Sequence, residues 1–357
     1  MKSSATADPL ARIARHRLSG LLLTGPGLPT AAAVVNHLTA VQAQDHRFGR
    51  WSIGQRATSL TAAAVDAAFD EGRILRTHVL RPTWHYVVPA DLRWLIPLSG
   101  PRVQRAMAPK CRQMGLDPST LAAAADLIAA AVAEGPRTRD ELRAALGQGR
   151  ISTAGERTTF LLMNAELAGV ICSGPMRGRQ HTYAAFADRV PDGPTLRGEE
   201  ALAELAYRYF STRGPATVHD FSWWAGLSLA EARHGLDSVN DRLVSLTLGK
   251  QTYWSAEPVR PLPSTPQIDL VACYDEAVVS YRHPREPLCS PAAGLPPLQR
   301  VDGFQHGLLL DGRLVGHWRI SSGPGEPLVE ARTALRLGRS ERAALTEACE
   351  RCQLFAC

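Results

Sequence analysis

Lysine is almost missing from this 357-residue chain. Lys2, Lys110 and Lys250 are the only three, so 37 of the 40 basic residues are arginine. So few primary amines leave little for Schiff-base chemistry, which usually calls on lysine. Long apolar runs are missing too: the longest, LAAAADLIAAAVA at 121–133, is Ala-rich and too short to span a bilayer. The opening MKSSATADPLARIARHR holds no apolar stretch ahead of a cleavage site, so no secretory signal is expected and a cytoplasmic place is. Seven scattered cysteines, an odd number, give no disulfide framework. Cys349-Glu-Arg-Cys352 has zinc-like spacing, but no second cysteine pair or histidine pair accompanies it, so no metal is expected. There is no G-x-x-x-x-G-K-[ST] phosphate loop, and no nucleotide cofactor is expected.

What is present is ordinary folded-protein composition with a positive balance. Hydrophobic residues make up 45% and charged residues 21%, with a net charge of +6. Arginine suits phosphates, base edges and ring faces, and the sign of the charge leans toward a polyanionic partner. GC-rich coding would raise Ala, Arg, Gly and Pro together and can account for the Arg/Lys ratio.

An order of elements repeats along the chain. Residues 119–134 read as an apolar helix broken by Gly135-Pro136. Thr138 can cap a short helix over 139–146, another follows over 155–168, and 170–186 looks like two short strands around a Gly/Arg-rich turn. The next stretch repeats this: a helix over 198–213, a break at Gly214-Pro215, and a short helix opened by Thr217. A helix over 229–240 capped by Ser228 follows, then strands around Gly249-Lys250-Gln251. More loosely, helices over 9–19, 30–43 and 61–72 precede ILRTHVLRPTWHYV at 74–87, rich in strand formers. This is the order of a winged helix, three times over. A Pro-rich connector at 257–267 leads to a strand over 268–281, a hairpin over 306–320 about Asp311-Gly312, and a final helix over 340–352. The expected fold is α+β, mainly α, with winged-helix units at 1–115, 116–194 and 195–256 and a β-rich region at 257–357.

Winged helices most often bind duplex DNA, with a recognition helix in the groove and the wing on the backbone. The wing-like segments are basic: Arg76 and Arg81 in the first, Arg177 and Arg179 in the second. Residues 38–56, LTAVQAQDHRFGRWSIGQR, pose a separate question. Gln42 and Gln44 close an apolar run, and buried amides are unfavourable unless hydrogen-bonded. Positions i and i+2 face apart on a helix. In a last turn or in strand-like geometry, both amides could reach one cleft and orient a water.

VQAQDHRFGRWSIGQR, followed by RTHVLRPTWHYV, resembles the AlkZ-type winged-helix DNA glycosylase family. Its members carry Gln-x-Gln or Gln-x-Asp, here Gln42 and Gln44, then an element matched by Thr77, Arg81, Pro82, Thr83, Trp84 and His85. LVACYDEAVVSY and the DGRLVGHWR hairpin are similar to its C-terminal portion, although Ala272-Cys273 stand where a proline is usual. The resemblance spans essentially the whole chain. It implies a C-shaped assembly around a DNA channel, catalysis by the glutamine pair, and hydrolysis of N7-alkylguanine N-glycosidic bonds. Bulky adducts and interstrand crosslinks from alkylating natural products are included, in repair or self-resistance. It also implies a DNA-facing hairpin carrying Arg313.

Chemistry is consistent with that implication. N7 alkylation makes guanine a cationic leaving group, so water needs placing more than activating. The expected partner is double-stranded DNA carrying alkylated guanine, met by a nucleoid-associated monomer. Asp45, beside the pair, could polarise water or serve the helix end. His78, His85 and Trp84 could touch phosphate or lesion, or simply pack. The rival reading is a transcriptional regulator that binds DNA without catalysis.

Overall fold

The computed structural model describes residues 9–258, 265–282, 306–321 and 328–356. The middle of the connector, Cys289 and Cys357 lie outside them. In chain order the first elements are α1 (Pro9–Gly20), α2 (Ala31–Leu38), β1 (Val41–Gln42), α3 (His46–Gly54), α4 (Ala62–Asp70), β2 (Leu75–Val79), β3 (Arg81–Val87) and α5 (Pro89–Gln113). Next come α6 (Pro118–Val132), β4 (Arg137–Thr138), α7 (Arg139–Gln148), α8 (Arg157–Leu167), β5 (Ile171–Ser173), β6 (Thr182–Ala185) and α9 (Phe186–Arg189). Then follow α10 (Gly198–Arg213), α11 (Val218–Ala225), α12 (Leu229–Asp237), β7 (Val244–Leu248) and β8 (Gln251–Ser255). The chain ends in β9 (Ile268–Val271), α13 (Glu276–Val279), β10 (His306–Leu310), β11 (Arg313–Ser321), β12 (Leu328–Thr333) and α14 (Arg339–Ala356). No single helix among the described residues is long and apolar enough to cross a membrane.

Local signals place many of these boundaries. Thr138, Thr217 and Ser228 each accept from the backbone N–H three residues on, where Glu141, Asp220 or Glu231 bonds back, giving three reciprocal capping boxes. The turn between β10 and β11 takes positive φ at both Asp311 (50°) and Gly312 (77°), as the Asp-Gly pair suggests.

The chain forms two compact units, residues 66–202 and residues 1–65 with 203–357. In the unit of 66–202, β2 and β3 pair as an antiparallel hairpin, and β4, β6 and β5 form a small antiparallel sheet. Its core gathers Ile128, Val132, Leu142, Leu146, Leu161 and Ile171 from α6, α7, α8 and β5. In the other unit, β9 to β12 form an antiparallel sheet in the order β12-β11-β10-β9. Trp51 of α3 and Phe355 of α14 pack there with ring centroids 5.4 Å apart. A second aromatic cluster joins Tyr209 and Phe210 of α10 to Phe221 and Trp224 of α11.

Several expectations need correction. The helix expected over 30–43 ends at Leu38. Thr39 takes φ 63°, ψ −48°, and Ala40 N–H closes onto Leu38 O at 2.6 Å, a γ-turn of the strained kind. Such a conformation costs on the order of 1–3 kcal/mol and persists only where its surroundings over-determine it. The strand expected over 268–281 stops at Val271, and Glu276 opens the short helix α13 instead. Asp275 caps that helix, accepting from Ala277 N. Helices α3 and α5 and strand β12 were not anticipated. Pro97, Pro101 and Pro109 lie inside α5, where prolines normally break a helix. Its buried face of Leu92, Trp94, Leu95, Ile96 and Val103 holds it together.

Candidate active site

Gln42 lies on β1 and Gln44 two residues on, beyond the point where α2 has ended. The helical geometry that would have turned the two amides apart is therefore absent. Gln42 is 6% exposed and Gln44 is exposed, so one is seated in the protein and the other faces outward. Asp45 is the N-cap of α3, its Oδ1 accepting from Phe48 N at 3.2 Å, which is the helix-end role.

Two adjacent carboxylates, the nearer contact 219 and the farther 234 residues away in sequence, grip the segment that carries the motif. Glu276 Oε1 accepts from Gln42 N at 2.9 Å. Its Oε2 takes Arg213 Nη2 (2.7 Å), Ser280 Oγ (2.8 Å) and Trp224 Nε1 (3.0 Å). Asp275 binds Arg56 at both oxygens, 2.6 and 2.8 Å, and also accepts from Gln55 Nε2 at 2.9 Å. Glu276 thus holds the start of the stretch and Asp275 its end. All four charged side chains are fully buried, where an ion pair needs close geometry and full hydrogen bonding to offset desolvation. Arginine rather than lysine suits both places: Arg56 grips Asp275 with two nitrogens, and Arg213 spreads its donors over Glu276, Ser280, Thr212 and Ala40 O. Arg17 is buried as well, donating to Pro215 O and lying 3.8 Å over the Tyr281 ring. Part of the arginine excess therefore serves the interior rather than an anionic partner.

His306 was not anticipated. It opens β10 with its ring 3.8 Å from that of Phe48 in α3 and 5.0 Å from that of Trp318. Cys273 N donates to its Nδ1 at 3.2 Å, so the neutral ring carries its proton on Nε2. Burial brings its pKa down to about 4, against the opposing pull of Asp45 and helped by Arg47, so the ring is uncharged at neutral pH. The signal for Glu276 and Asp275 was visible, since two acids in the apolar run LVACYDEAVVSY require buried partners, but nothing in the sequence named them. His306 gave no comparable signal.

The remaining candidates are dispersed. Arg313 is exposed at the start of β11. The turn before it rests on α1: Asp311 pairs with Arg15 at 2.9 Å, and a Cβ on Gly312 would meet that of Ala14 at 3.2 Å. In the unit of 66–202, the Arg76 guanidinium stacks over Trp84 at 4.4 Å, and the His78 ring lies 4.4 Å from the same indole. The two histidines of the hairpin are both buried. His78 is 3% exposed and bound to Glu166 through Nδ1, while His85 is 0% exposed and donates from Nδ1 to Thr83 O at 3.0 Å. The register puts His78 beside Trp84 on one face of the hairpin and His85 beside Thr77 on the other. Arg81 is half-buried. Arg177 is tied back to Glu141 Oε1 and Pro136 O, both at 2.7 Å, whereas Arg179 is exposed beyond Gly178 at the hairpin tip. Among the described residues no group of three or more His, Cys, Asp or Glu could hold a metal.

A glycosidic-bond hydrolase working on DNA is the class these comparisons define. The model of the AlkZ-like DNA glycosylases matches residues 35–355, and the chain belongs to that family. It is an enzyme, a DNA glycosylase, and DNA is its substrate, which sets aside the reading as a regulator without catalysis. The DNA glycosylase AlkZ of Streptomyces sahachiroi shares the fold, with a TM-score of 0.74 over 97% of this chain and 96% of that one at 21% identity. No curated protein matches the sequence.

Proposed function

We propose that this glycosylase is monofunctional and releases N7-alkylguanine, bulky and crosslinked adducts included, with Gln42 and Gln44 orienting the attacking water. The observation that carries the reading is the seating of Gln42 on a rigid, extended segment whose neighbouring carboxylates are committed elsewhere. Glu276 accepts from four donors, Arg213 among them, and Asp45 Oδ1 caps α3. Gln42 and Gln44 themselves offer only neutral amides. An amide oxygen can accept from water and fix its direction, but it cannot take a proton at neutral pH.

That limitation suits one kind of leaving group. When the C1′–N9 bond of an N7-alkylguanine breaks, its electron pair neutralises the charge already on the base. The water oxygen then bonds to C1′, and its spare proton leaves to solvent. An unmodified purine would need an acid that the motif does not supply, so selectivity for cationic lesions follows. Lys110 is paired with Glu156 at 3.2 Å, and Lys250 lies in the β7–β8 turn, which supports hydrolysis without a Schiff base.

The helix–strand–helix–helix–hairpin order of α6 to β6, and the three helices and hairpin of α10 to β8 with Ala216 bridged to Trp254, support reading them as winged helices. Arg76, Arg179 and Arg313 are the proposed duplex contacts, in a cytoplasmic, nucleoid-associated monomer. The Asp311-Gly312 turn itself is docked on α1, which leaves Arg313, just past it, as the hairpin's proposed contact.

The test is an oligonucleotide carrying one N7-methylguanine, incubated with the protein and then treated with alkali. Strand cleavage at the lesion with the native chain, lost in Gln42→Ala/Gln44→Ala, supports the reading. Release that survives the double substitution moves the chemistry off the glutamines.

A further inference from the structure

The strained turn at Thr39 and the buried ion pair behind it belong to one device. Ala40 O and Gln42 N are the backbone groups that bracket Val41. Arg213 Nη2 donates to the first at 3.0 Å, Glu276 Oε1 accepts from the second at 2.9 Å, and the two side chains meet each other at 2.7 Å. Arg213 is further fixed by Nε to Ser280 Oγ and Nη1 to Thr212 Oγ1, both at 2.9 Å. An unfavourable γ-turn persists only where such contacts over-determine it, and these lie immediately past it.

We infer that Glu276 and Arg213 are positioning residues that fix the direction of the Gln42 side chain by clamping the backbone on either side of Val41. Three donors converge on Glu276 Oε2 and Gln42 N occupies Oε1, with the Arg213 cation alongside, so the carboxylate is engaged in holding the chain. Its charge strengthens the bond to Gln42 N–H, and Arg213 keeps that charge compensated. A shift of about 1 Å in an orienting group can lower a rate about a hundredfold, so a device that defines one backbone geometry has a kinetic role distinct from stability. The inference rests on reading Gln42 as the water-orienting group.

The experiment is single-turnover release of 7-methylguanine from an N7-methylguanine duplex at saturating enzyme, with duplex affinity measured separately. The chains compared are native, Gln42→Ala, Glu276→Gln and Gln42→Ala/Glu276→Gln, with Leu205→Ala as a core control from α10 that loses stability without touching the clamp. Glu276→Gln is expected to slow release at least tenfold with duplex affinity changed less than twofold. The double variant should be no slower than Gln42→Ala, because both changes disable one group. Leu205→Ala should retain the native rate below its melting temperature. If Glu276→Gln does not fold, Ser280→Ala, which removes an anchor shared by both members of the pair, should lower the rate several-fold with the same non-additivity.

Multiplicative losses in the double variant would overturn the inference, as would a native rate in Glu276→Gln or, where that chain does not fold, in Ser280→Ala. A loss matched by Leu205→Ala would overturn it too, by showing that stability alone is at issue. No release by the native chain, or full release by Gln42→Ala, would instead overturn the catalytic reading of Gln42 and the inference with it.

Discussion

Arg56 and Asp275 are 219 residues apart in sequence and face each other through two hydrogen bonds, Nη2 to Oδ1 at 2.6 Å and Nη1 to Oδ2 at 2.8 Å, with neither side chain exposed. Arg56 also donates to Leu21 O and Ser52 O, so the guanidinium joins the end of α3 to two chain segments at once. Removing one member leaves the other charged, buried and uncompensated. Asp275→Asn should therefore destabilise the unit by about 3–5 kcal/mol, read as a lower denaturant midpoint with an unchanged slope. Arg56→Lys should fall short of rescue, since an ammonium cannot supply the fork.

Thr39 reverses the usual ranking of alanine and glycine. Thr39→Ala and Thr39→Gly both remove the buried side chain beyond Cβ, but only glycine takes positive φ without strain. Thr39→Gly should be the more stable of the two by about 1 kcal/mol, where an ordinary helical site would give the opposite sign. Thermal melts of the pair at one pH decide it.

Gly54 reverses the ranking the other way. It sits in α3, where alanine normally stabilises, yet a Cβ there would overlap the Phe355 ring of α14. Gly54→Ala should lower stability by roughly 1–3 kcal/mol. Gly54→Ala/Phe355→Leu should recover part of that loss.

Three groups, His306 and Asp269 buried and His181 half-buried, set opposing pH dependences. Burial lowers His181 and His306 from 6.5 to about 4, so the unfolded chain binds their protons first. Their stability contribution is complete above pH 6.5 and falls as pH drops toward 4. Burial raises Asp269 from 3.8 to about 6, against the Gln267 hydrogen bond that favours its charge. Here the folded chain keeps the proton, and stability falls as pH rises from 4 through 6. Asp269→Asn should therefore gain in melting temperature relative to the native chain on moving from pH 4 to pH 7. His306→Gln should flatten the acid limb.

What could be read from the sequence was what neighbours in sequence decide. The boxes Thr138–Glu141, Thr217–Asp220 and Ser228–Glu231 close within one turn, and α7, α11 and α12 begin where those residues predict. The Asp311-Gly312 turn is equally local. The end of α2 at Leu38 was not legible, because the groups that hold Ala40 and Gln42 extended come from α10 and α13. Asp275 and Glu276 likewise read as strand residues until their partners Arg56 and Arg213 are known. Helix α5 was hidden by its prolines, which local propensity counts heavily and a buried apolar face outweighs. At the candidate site, the glutamine pair was legible through a resemblance, whereas its support was not.

The unit that holds the motif is assembled from residues 1–65 and 203–357, with the other unit inserted between them. Synthesis runs in one direction, so Gln42 emerges from the ribosome 234 residues ahead of Glu276. The loop that must close is long, and such pairings form late. A chain that ends before Glu276 carries both glutamines but lacks the carboxylate that accepts from Gln42 N. On the proposed reading of Gln42, base release therefore waits on the C-terminal segment, and such a fragment is expected to leave no abasic sites.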